Sequence, residues 1–541
     1  MRKFFLFCFM VICLTCAWSS ERYSDLYHDL PFDMPMVNRP QFPALSVCLT
    51  DFGGKGDGQH LNTKAFKMAI HSLASRGGGR LVVPQGVWLT GPIVLEDNID
   101  LHLSDNSIIL FTQDKSLYPI VKTVFEGSET FRCQPQISAV GKRNIAITGA
   151  GIIDGAGDIW RLGRKAEMPP SVWQQHVQSG GILSEDGEQW YPSESYYRGA
   201  KDATQNIVPW AKTMADFESI RDFLRPVMIH IRGCEGVLLE GVTFQNSPCW
   251  NVHLALCRNL VVDGIVVRCP WYAKNGDGID IESCINMLLV NSKFDVGDDA
   301  ICIKSGKDAE GRARGIPAAN IIVDNCVCFH GHGGFVVGSE MSGGVKNISV
   351  SNCRFSGTDV GLRFKSKRGR GGVVENIYIR DIMMNDIVTE ALLFDLFYAQ
   401  QSASELLANK NSADMPNETV PEADETTPQF RNVFVSRIVC HGARRAMFFN
   451  GLPEMNIDKV LVEDSYIVSK KGIEICETKD VELRNVTLVA EEKPALSFHN
   501  VKGAVVEDFS PSTELEGNLK ISGHTNRDIL INGEILSEQW E

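Results

Sequence analysis

The sequence predicts an all-β chain wound as a single parallel β-helix, covered at its N-terminal end by one helix. Three observations predict it. A hexapeptide recurs as NIAITG, GVLLEG, NLVVDG, NMLLVN, NIIVDN, NISVSN, NIYIRD, NVFVSR, KVLVED, DVELRN, GAVVED and DILING, beginning at Asn144, Gly236, Asn259, Asn286, Asn320, Asn347, Asn376, Asn432, Lys459, Asp480, Gly503 and Asp528. Within each unit apolar residues alternate at period two, as a strand with one buried face requires. The units open and close mostly on Asn, Asp or Gly, and 48 glycines favour turns over long helices. Such a unit cannot bury its apolar face alone, but stacked on its neighbours at about 4.8 Å it can. Leucine-rich repeats are the nearest competitor, and their Leu-x-x-Leu-x-Leu pattern is missing.

The elements follow in chain order. Residues 1–20 (MRKFFLFCFMVICLTCAWSS) have a basic start, a short apolar run and small polar residues. That is the anatomy of a cleaved export signal, too short for a comfortable membrane span. Lipid anchoring through Cys16 is the lesser alternative, because Cys13 and Thr15 make a poor processing site. The mature protein is therefore expected outside the cytoplasm, periplasmic or extracellular, with no membrane span. An N-terminal arm occupies 21–45, and the β-helix is expected over 46–541. Leu61 to Ser75 reads as an amphipathic helix with Asn62 as N-cap, covering the open end of the stack. Two segments break the period: an aromatic-rich insertion at about 155–225, with Trp160, Trp173, Trp190, Tyr191, Tyr196, Tyr197 and Trp210, and a polar, acidic loop at about 399–429.

Hydrophobic content of 44% and charged content of 22% are those of a soluble globular protein, and a net charge of −14 argues against a nucleic-acid partner. An anionic ligand needs a locally basic pocket. Thirteen of the 16 cysteines lie beyond the leader, without CxxC pairs, and read as buried thiols rather than metal ligands.

The stretch VGDDAICIKSG (296–306) places two acids before an alternating run. Strict alternation sends Asp299 inward with Ile301 and Ile303, where an unpaired carboxylate is costly. Four successive coils can be superposed on the inward pairs Ile279/Ile281, Ile301/Ile303, Phe335/Val337 and Leu362/Phe364, after which all four carry serine, at Ser283, Ser305, Ser339 and Ser366. This register sets Asp277 level with Asp299 and His332 level with Asp298. Asp280, Cys302, Val336 and Arg363 form one outward column; Glu282, Lys304, Gly338 and Lys365 form another. Glycines around the turns allow a bend, so Asp298 and Asp299 are expected on a strand-entry bend from which both reach one cleft. Crowded carboxylates keep one acid protonated for donation while another activates water, and Arg363 with Lys365 suits a substrate carboxylate. Tyr272 and Trp271 either stack on a sugar or pack in the core.

At these residues the sequence resembles the polygalacturonases of glycoside hydrolase family 28, whose pattern Asn-x-Asp, Asp-Asp, Gly-His-Gly, Arg-x-Lys appears as NGDG (275–278), GDDA (297–300), GHGG (331–334) and RFK (363–365). The opening DFGGKGDGQHLNTKAF (51–66) is similar to the N-terminal cap of pectin-active β-helices. The resemblance implies a right-handed, pectin-lyase-like solenoid. It implies Asp298 as general acid, Asp277 and Asp299 holding and deprotonating water, and His332 tuning the acid. Arg363 and Lys365 become carboxylate binders and Asn275 a support for substrate or site; Lys304, from its outward column, and Tyr272, from its place before the first acid, are expected as further substrate contacts. Gly276 stands where threonine is usual, and Phe364 where isoleucine is. The implied reaction is inverting hydrolysis of α-1,4-linked galacturonic acid in pectin or its oligosaccharides, without metal or cofactor. The two insertions suggest a closed cleft and exo action. A calcium-dependent pectate lyase and a non-catalytic glycan-binding β-helix are the alternatives.

Overall fold

A computed structural model describes residues 22–204, 206–398, 420–511 and 517–536. The leader and most of the acidic loop (399–419) lie outside the described residues.

The hexapeptides explain the coil. In all twelve, the first and last residues have positive φ, between 48° and 61° where they are not glycine. That left-handed region is costly for most side chains and cheap for Gly, Asn and Asp, so the residue types that mark the repeat are those its two turns demand. Lys459 and Arg437 are the exceptions. Between the turns each unit is a strand paired in parallel with its equivalents above and below, Ile145 with Val237, Val237 with Leu260, and Leu260 with Met287. Side-chain amides stack as well: Asn286 donates to Asn259, Asn320 to Asn286, Asn347 to Asn320 and Asn376 to Asn347, over 3.0–3.3 Å. The ladder satisfies polar groups at turns that would otherwise interrupt the stack.

A second stacked sheet carries the candidate site. We label its relevant strands β1 (Ile279–Glu282), β2 (Asp299–Lys304), β3 (Gly333–Gly338) and β4 (Leu362–Lys365). Their pairing is Ile279–Ile301–Phe335–Leu362 and Ile281–Ile303–Val337–Phe364, the superposition expected from the sequence. These side chains are fully buried in the solenoid core. Phe364 continues the column into a stack with Phe394 at 4.5 Å, and Phe394 meets Phe449 at 4.8 Å.

Helix α1 (Thr63–Ala74) turns Ala65, Phe66, Ala69, Ile70 and Leu73 onto that core. Asn62 precedes it, but its side chain does not cap it. Its Oδ1 accepts from Lys55 N at 2.8 Å and its Nδ2 donates to the carbonyls of Lys55, His60 and Leu89, tying the preceding loop to the first coil. The arm packs Tyr23 and Val37 against Ala146, Leu238, Val261 and Leu288 on the solenoid's outside. Arg39 and Tyr23 bind Glu240 and Asp263 there, at 2.5 and 2.8 Å.

The aromatic-rich insertion folds as short helices with a three-stranded antiparallel sheet. Trp160, Leu162, Tyr196, Ile220 and Phe223 give it a core of its own, shared with Tyr118 and Cys133. The last two belong to the segment around the hairpin Ile120–Phe125/Ser128–Cys133, a two-stranded sheet separate from that of the solenoid. The thirteen cysteines beyond the leader are all free, and all but Cys48 are buried. No helix among the described residues is long and apolar enough to cross a membrane.

Candidate active site

Asp298 lies on a bend and Asp299 is the first residue of β2, so only one of the two acids precedes the strand. The alternation breaks one residue later. Ala300 and Ile301 both face the core, which frees Asp299 to turn outward. The three residues level with Ala300 are Gly278, Gly334 and Gly361, where a Cβ would fall 2.3 Å from Ala300 O, 2.5 Å from the Phe355 ring and 2.5 Å from Met384 Sδ. A column of minimal side chains therefore sits under the acids, and the kink exists because nothing larger fits.

One carboxylate oxygen each from Asp277, Asp298 and Asp299 lies within 4.8 Å of the others, the only group of three or more potential metal ligands among the described residues. Asp277 and Asp299 are 4% and 1% exposed. Asp298 Oδ1 lies 2.9 Å from His332 Nδ1, with side chains 18% and 50% exposed. Asp299 Oδ2 accepts from Lys365 Nζ at 2.7 Å, and its Oδ1 is 3.6 Å from Arg363. Asp277 Oδ1 and Asp299 Oδ1 are buried without a hydrogen-bond partner among the described residues.

These contacts sort the acids. Burial, then the charges of Asp298 and Asp280, push the Asp277 carboxyl well above the usual range. Burial also raises Asp298, but the His332 hydrogen bond and charge outweigh it and hold the carboxyl below its ordinary value. The same contact lifts the imidazole to about 9. Asp299 is likewise raised by burial and lowered further by Lys365 and Arg363. At neutral pH Asp298 and Asp299 are ionised and His332 is an imidazolium, while burial and the neighbouring carboxylates favour the neutral form of Asp277.

The outward columns are not exposed, because the insertion and hairpin cover them. Asp280 is fully buried, and Lys304 Nζ lies 3.1 Å from Glu340 and 3.6 Å from Asp280. Lys304, expected as a substrate contact, lines the cavity with its ammonium already engaged. Asn275 lines it too, and its Oδ1 accepts from Arg225 at 2.8 Å. Tyr272 lies elsewhere, in a neighbouring groove with Trp271 at 5.7 Å, and Trp271 is exposed rather than in the core.

Two cavities meet at the acids. The larger, about 480 Å³, is walled by Asp277, Asp299, Lys304 and Lys365 and by Arg164, Tyr191, Tyr196 and Phe223 of the insertion. Glu126 from the hairpin tip, hydrogen-bonded by Asn206, and Glu340 line it as well. The smaller, about 430 Å³, holds Tyr272, Trp271, His330 and Asp359. Asp298, His332, Lys274 and Arg164 line both. Sequence reasoning missed Glu126, Arg225, Lys274, Glu340 and Tyr398. Tyr398 has the cations of Arg363 and Lys365 over its ring at 5.7 and 5.1 Å. Only Glu340 had a signal, one residue past the serine of an aligned coil.

Comparison with known proteins places this site in a group. Residues 202–426, spanning all four motifs, match the glycosyl hydrolases family 28. Over 84% of the chain the structure superposes on 94% of a hyperthermoactive exopolygalacturonase from Thermotoga maritima, with 33% identity and a TM-score of 0.66. A probable polygalacturonase of Vitis vinifera is 31% identical over 63% of the chain and 61% of its own length. An exo-poly-alpha-D-galacturonosidase of Dickeya chrysanthemi is 28% identical over 66% and 58%. The chain thus spans about three-fifths of the length of these two curated relatives.

Proposed function

Because the chain belongs to the glycosyl hydrolases of family 28, we propose that it hydrolyses α-1,4-linked galacturonic acid in pectin or its fragments, acting from the chain end. The observation that carries this reading is the meeting of Asp277, Asp298 and Asp299 within 4.8 Å, beside His332, Arg363 and Lys365.

Asp298 donates the proton to the glycosidic oxygen. In the empty cleft the Asp298–His332 pair holds that proton on the imidazole. A bound sugar displaces water, which disfavours the separated charges and moves the proton onto the carboxylate. Asp299, ionised against Lys365, takes the proton of the attacking water. The partnerless oxygens of Asp277 and Asp299 together accept the water's two hydrogens. A water held this way attacks opposite the departing oxygen, so the anomeric configuration inverts. All three acids lie closer than general carboxylate spacing assigns to inversion rather than retention; in this reading Asp277 and Asp299 both serve the water and neither is a nucleophile. Proton NMR of the first product anomer decides between the two.

The insertion and hairpin residues that wall the cavity, Glu126 and Asn206 among them, and the named exo-acting relatives support exo action. Export, by the leader, would bring the enzyme to a substrate too large to enter a cell. The test is a product time course on galacturonan with the wild type and Asp298→Asn. Monomer or dimer from the outset, abolished by the substitution without loss of folding, is expected. Early mid-sized oligomers refute exo action, and undiminished turnover by Asp298→Asn refutes the site. The three-acid cluster would also suit a calcium-assisted lyase, which unsaturated products and chelator inhibition would reveal.

A further inference from the structure

Most cations around the acids are already matched by protein carboxylates. Lys365 has Asp299 at 2.7 Å, Lys304 has Glu340 at 3.1 Å and Arg164 has Glu167 at 2.8 Å. Two are not. Arg225, 1% exposed, donates to Pro248 O at 3.1 Å, Lys274 O at 2.9 Å and Asn275 Oδ1 at 2.8 Å. Among the described residues no carboxylate lies within ion-pair range of it, and its Nε is buried without a partner. Lys274, half-buried, has no carboxylate in ion-pair range either. It lines both cavities at the junction where Asp298 and His332 stand. Burial, then the charges of Arg164 and Arg225, push its ammonium down.

Desolvated charge without a counter-ion is costly, and like charges held together add to the cost. An anion entering from the cavity removes both penalties. Lys274 and Arg225 are also coupled to the motif itself, since one guanidinium holds the Lys274 carbonyl and the Asn275 side chain two residues before Asp277.

We propose that Lys274 and Arg225 form a carboxylate subsite, separate from Arg363 and Lys365, that grips a uronate flanking the scissile bond. This rests on the reading that the ligand is a galacturonate chain. Two carboxylates of adjacent sugars are then held from opposite sides of the acids, which fixes the bond between them over Asp298. Asn275 acts as a positioning residue, kept in place by Arg225.

The test is calorimetric binding of tri-galacturonate and of its methyl ester to the Asp298→Asn protein, with and without Lys274→Met or Lys274→Arg. Loss of one charge-assisted contact weakens binding by about 10- to 100-fold. Lys274→Met is expected to weaken the acid by that factor, leave the ester nearly unchanged and flatten the salt dependence. Lys274→Arg, keeping the charge, should stay within about threefold. Unchanged binding of the acid by Lys274→Met overturns the proposal, and so does an equal loss for acid and ester, which marks structural damage. Binding needs no turnover, so the two readings fail separately. Discrimination between acid and ester lost with Lys274→Met, in a protein that cleaves no galacturonan, would sink the activity and keep the subsite.

Discussion

Gly278→Ala tests whether the kink in the core column is what aims the acids. A Cβ at 278 lies 2.3 Å from Ala300 O and 2.7 Å from Phe294 Cδ1, where ordinary contact begins near 3.4 Å. Relief of the first clash needs about 1 Å, and the obstacle is backbone. The same two coils are tied by Gly278 N to Asp299 O at 2.9 Å, so the movement separates Asp277 from Asp299. Overpacking a filled core costs about 1–3 kcal/mol, partly offset by about 0.5–1 kcal/mol from restricting the unfolded chain. The effect on rate is larger, since misplacing reacting groups by an ångström costs about 100-fold. Gly334→Ala, two coils on, is the control: the three atoms nearest its Cβ all belong to the Phe355 ring, at 2.5–2.8 Å, and a ring can tilt where a carbonyl cannot. Denaturant unfolding and steady-state hydrolysis of galacturonan are the assays. Similar stability losses are expected, with kcat falling about 100-fold in Gly278→Ala and only a few-fold in Gly334→Ala. Full kcat in Gly278→Ala, or an equal fall in both, refutes the reasoning.

Two further outcomes follow from the charge pattern. His332 holds a proton with its imidazole raised to about 9, so kcat/KM should decline as pH rises through that value. In His332→Gln the donor is Asp298 alone and the alkaline limb moves acidward by more than a unit; a limb that stays near 9 contradicts the shared proton. Glu340 is held at about 2, burial opposing and Lys304 and Arg370 prevailing, so its depressed carboxyl contributes stability above the ordinary 4.5 that is lost as pH falls toward 2. Glu340→Gln should cost less than the about 3–5 kcal/mol of an abandoned buried charge, because Asp280 at 3.6 Å takes over Lys304. Chemical denaturation should show its deficit at pH 7 shrinking toward pH 2, and a constant deficit sinks the argument.

What the sequence disclosed is what one dimension can carry. Turn positions are recorded as residue type, since Asn, Asp and Gly mark positive φ, and register is recorded as the distance between alternating pairs. Both are local, and both appear in the fold. The placement of Asp298 and Asp299 was half legible. A bend was required, but its position at Ala300 depends on how little room Phe294, Phe355 and Met384 leave in other coils. Asn62 shows a local rule yielding: its amide found three carbonyls in the loop and first coil, so the helix start went without it. Lys274 and Arg225 were invisible because a lone lysine and a lone arginine carry no signal. Only the absence of nearby carboxylates distinguishes them, and that is a property of packing.

The division of labour among the acids follows from where the cations stand. Rungs about 4.8 Å apart place a side chain of each coil within reach of the next, so charges on one face cannot ignore each other. Glu282 is answered by His253 and Arg314, each at 3.0 Å, and Glu340 by Lys304. Asp299 is answered by Lys365, and Asp298 by His332. Among the described residues Asp277 has no such partner within hydrogen-bond distance, and Asp280 has only Lys304 at 3.6 Å, shared with Glu340. These two are the acids pushed upward, because burial there is unopposed at close range. A fourth cation beside Asp277 would ionise it and oblige the site to hold three negative charges within 4.8 Å. With none there among the described residues, the neutral form of Asp277 is favoured in the empty cleft and Asp299 supplies the charge. On the proposed mechanism a water between them would meet a base and a more weakly acidic hydrogen-bonding partner, drawn from the same residue type by the placement of Lys365 two coils beyond Asp299.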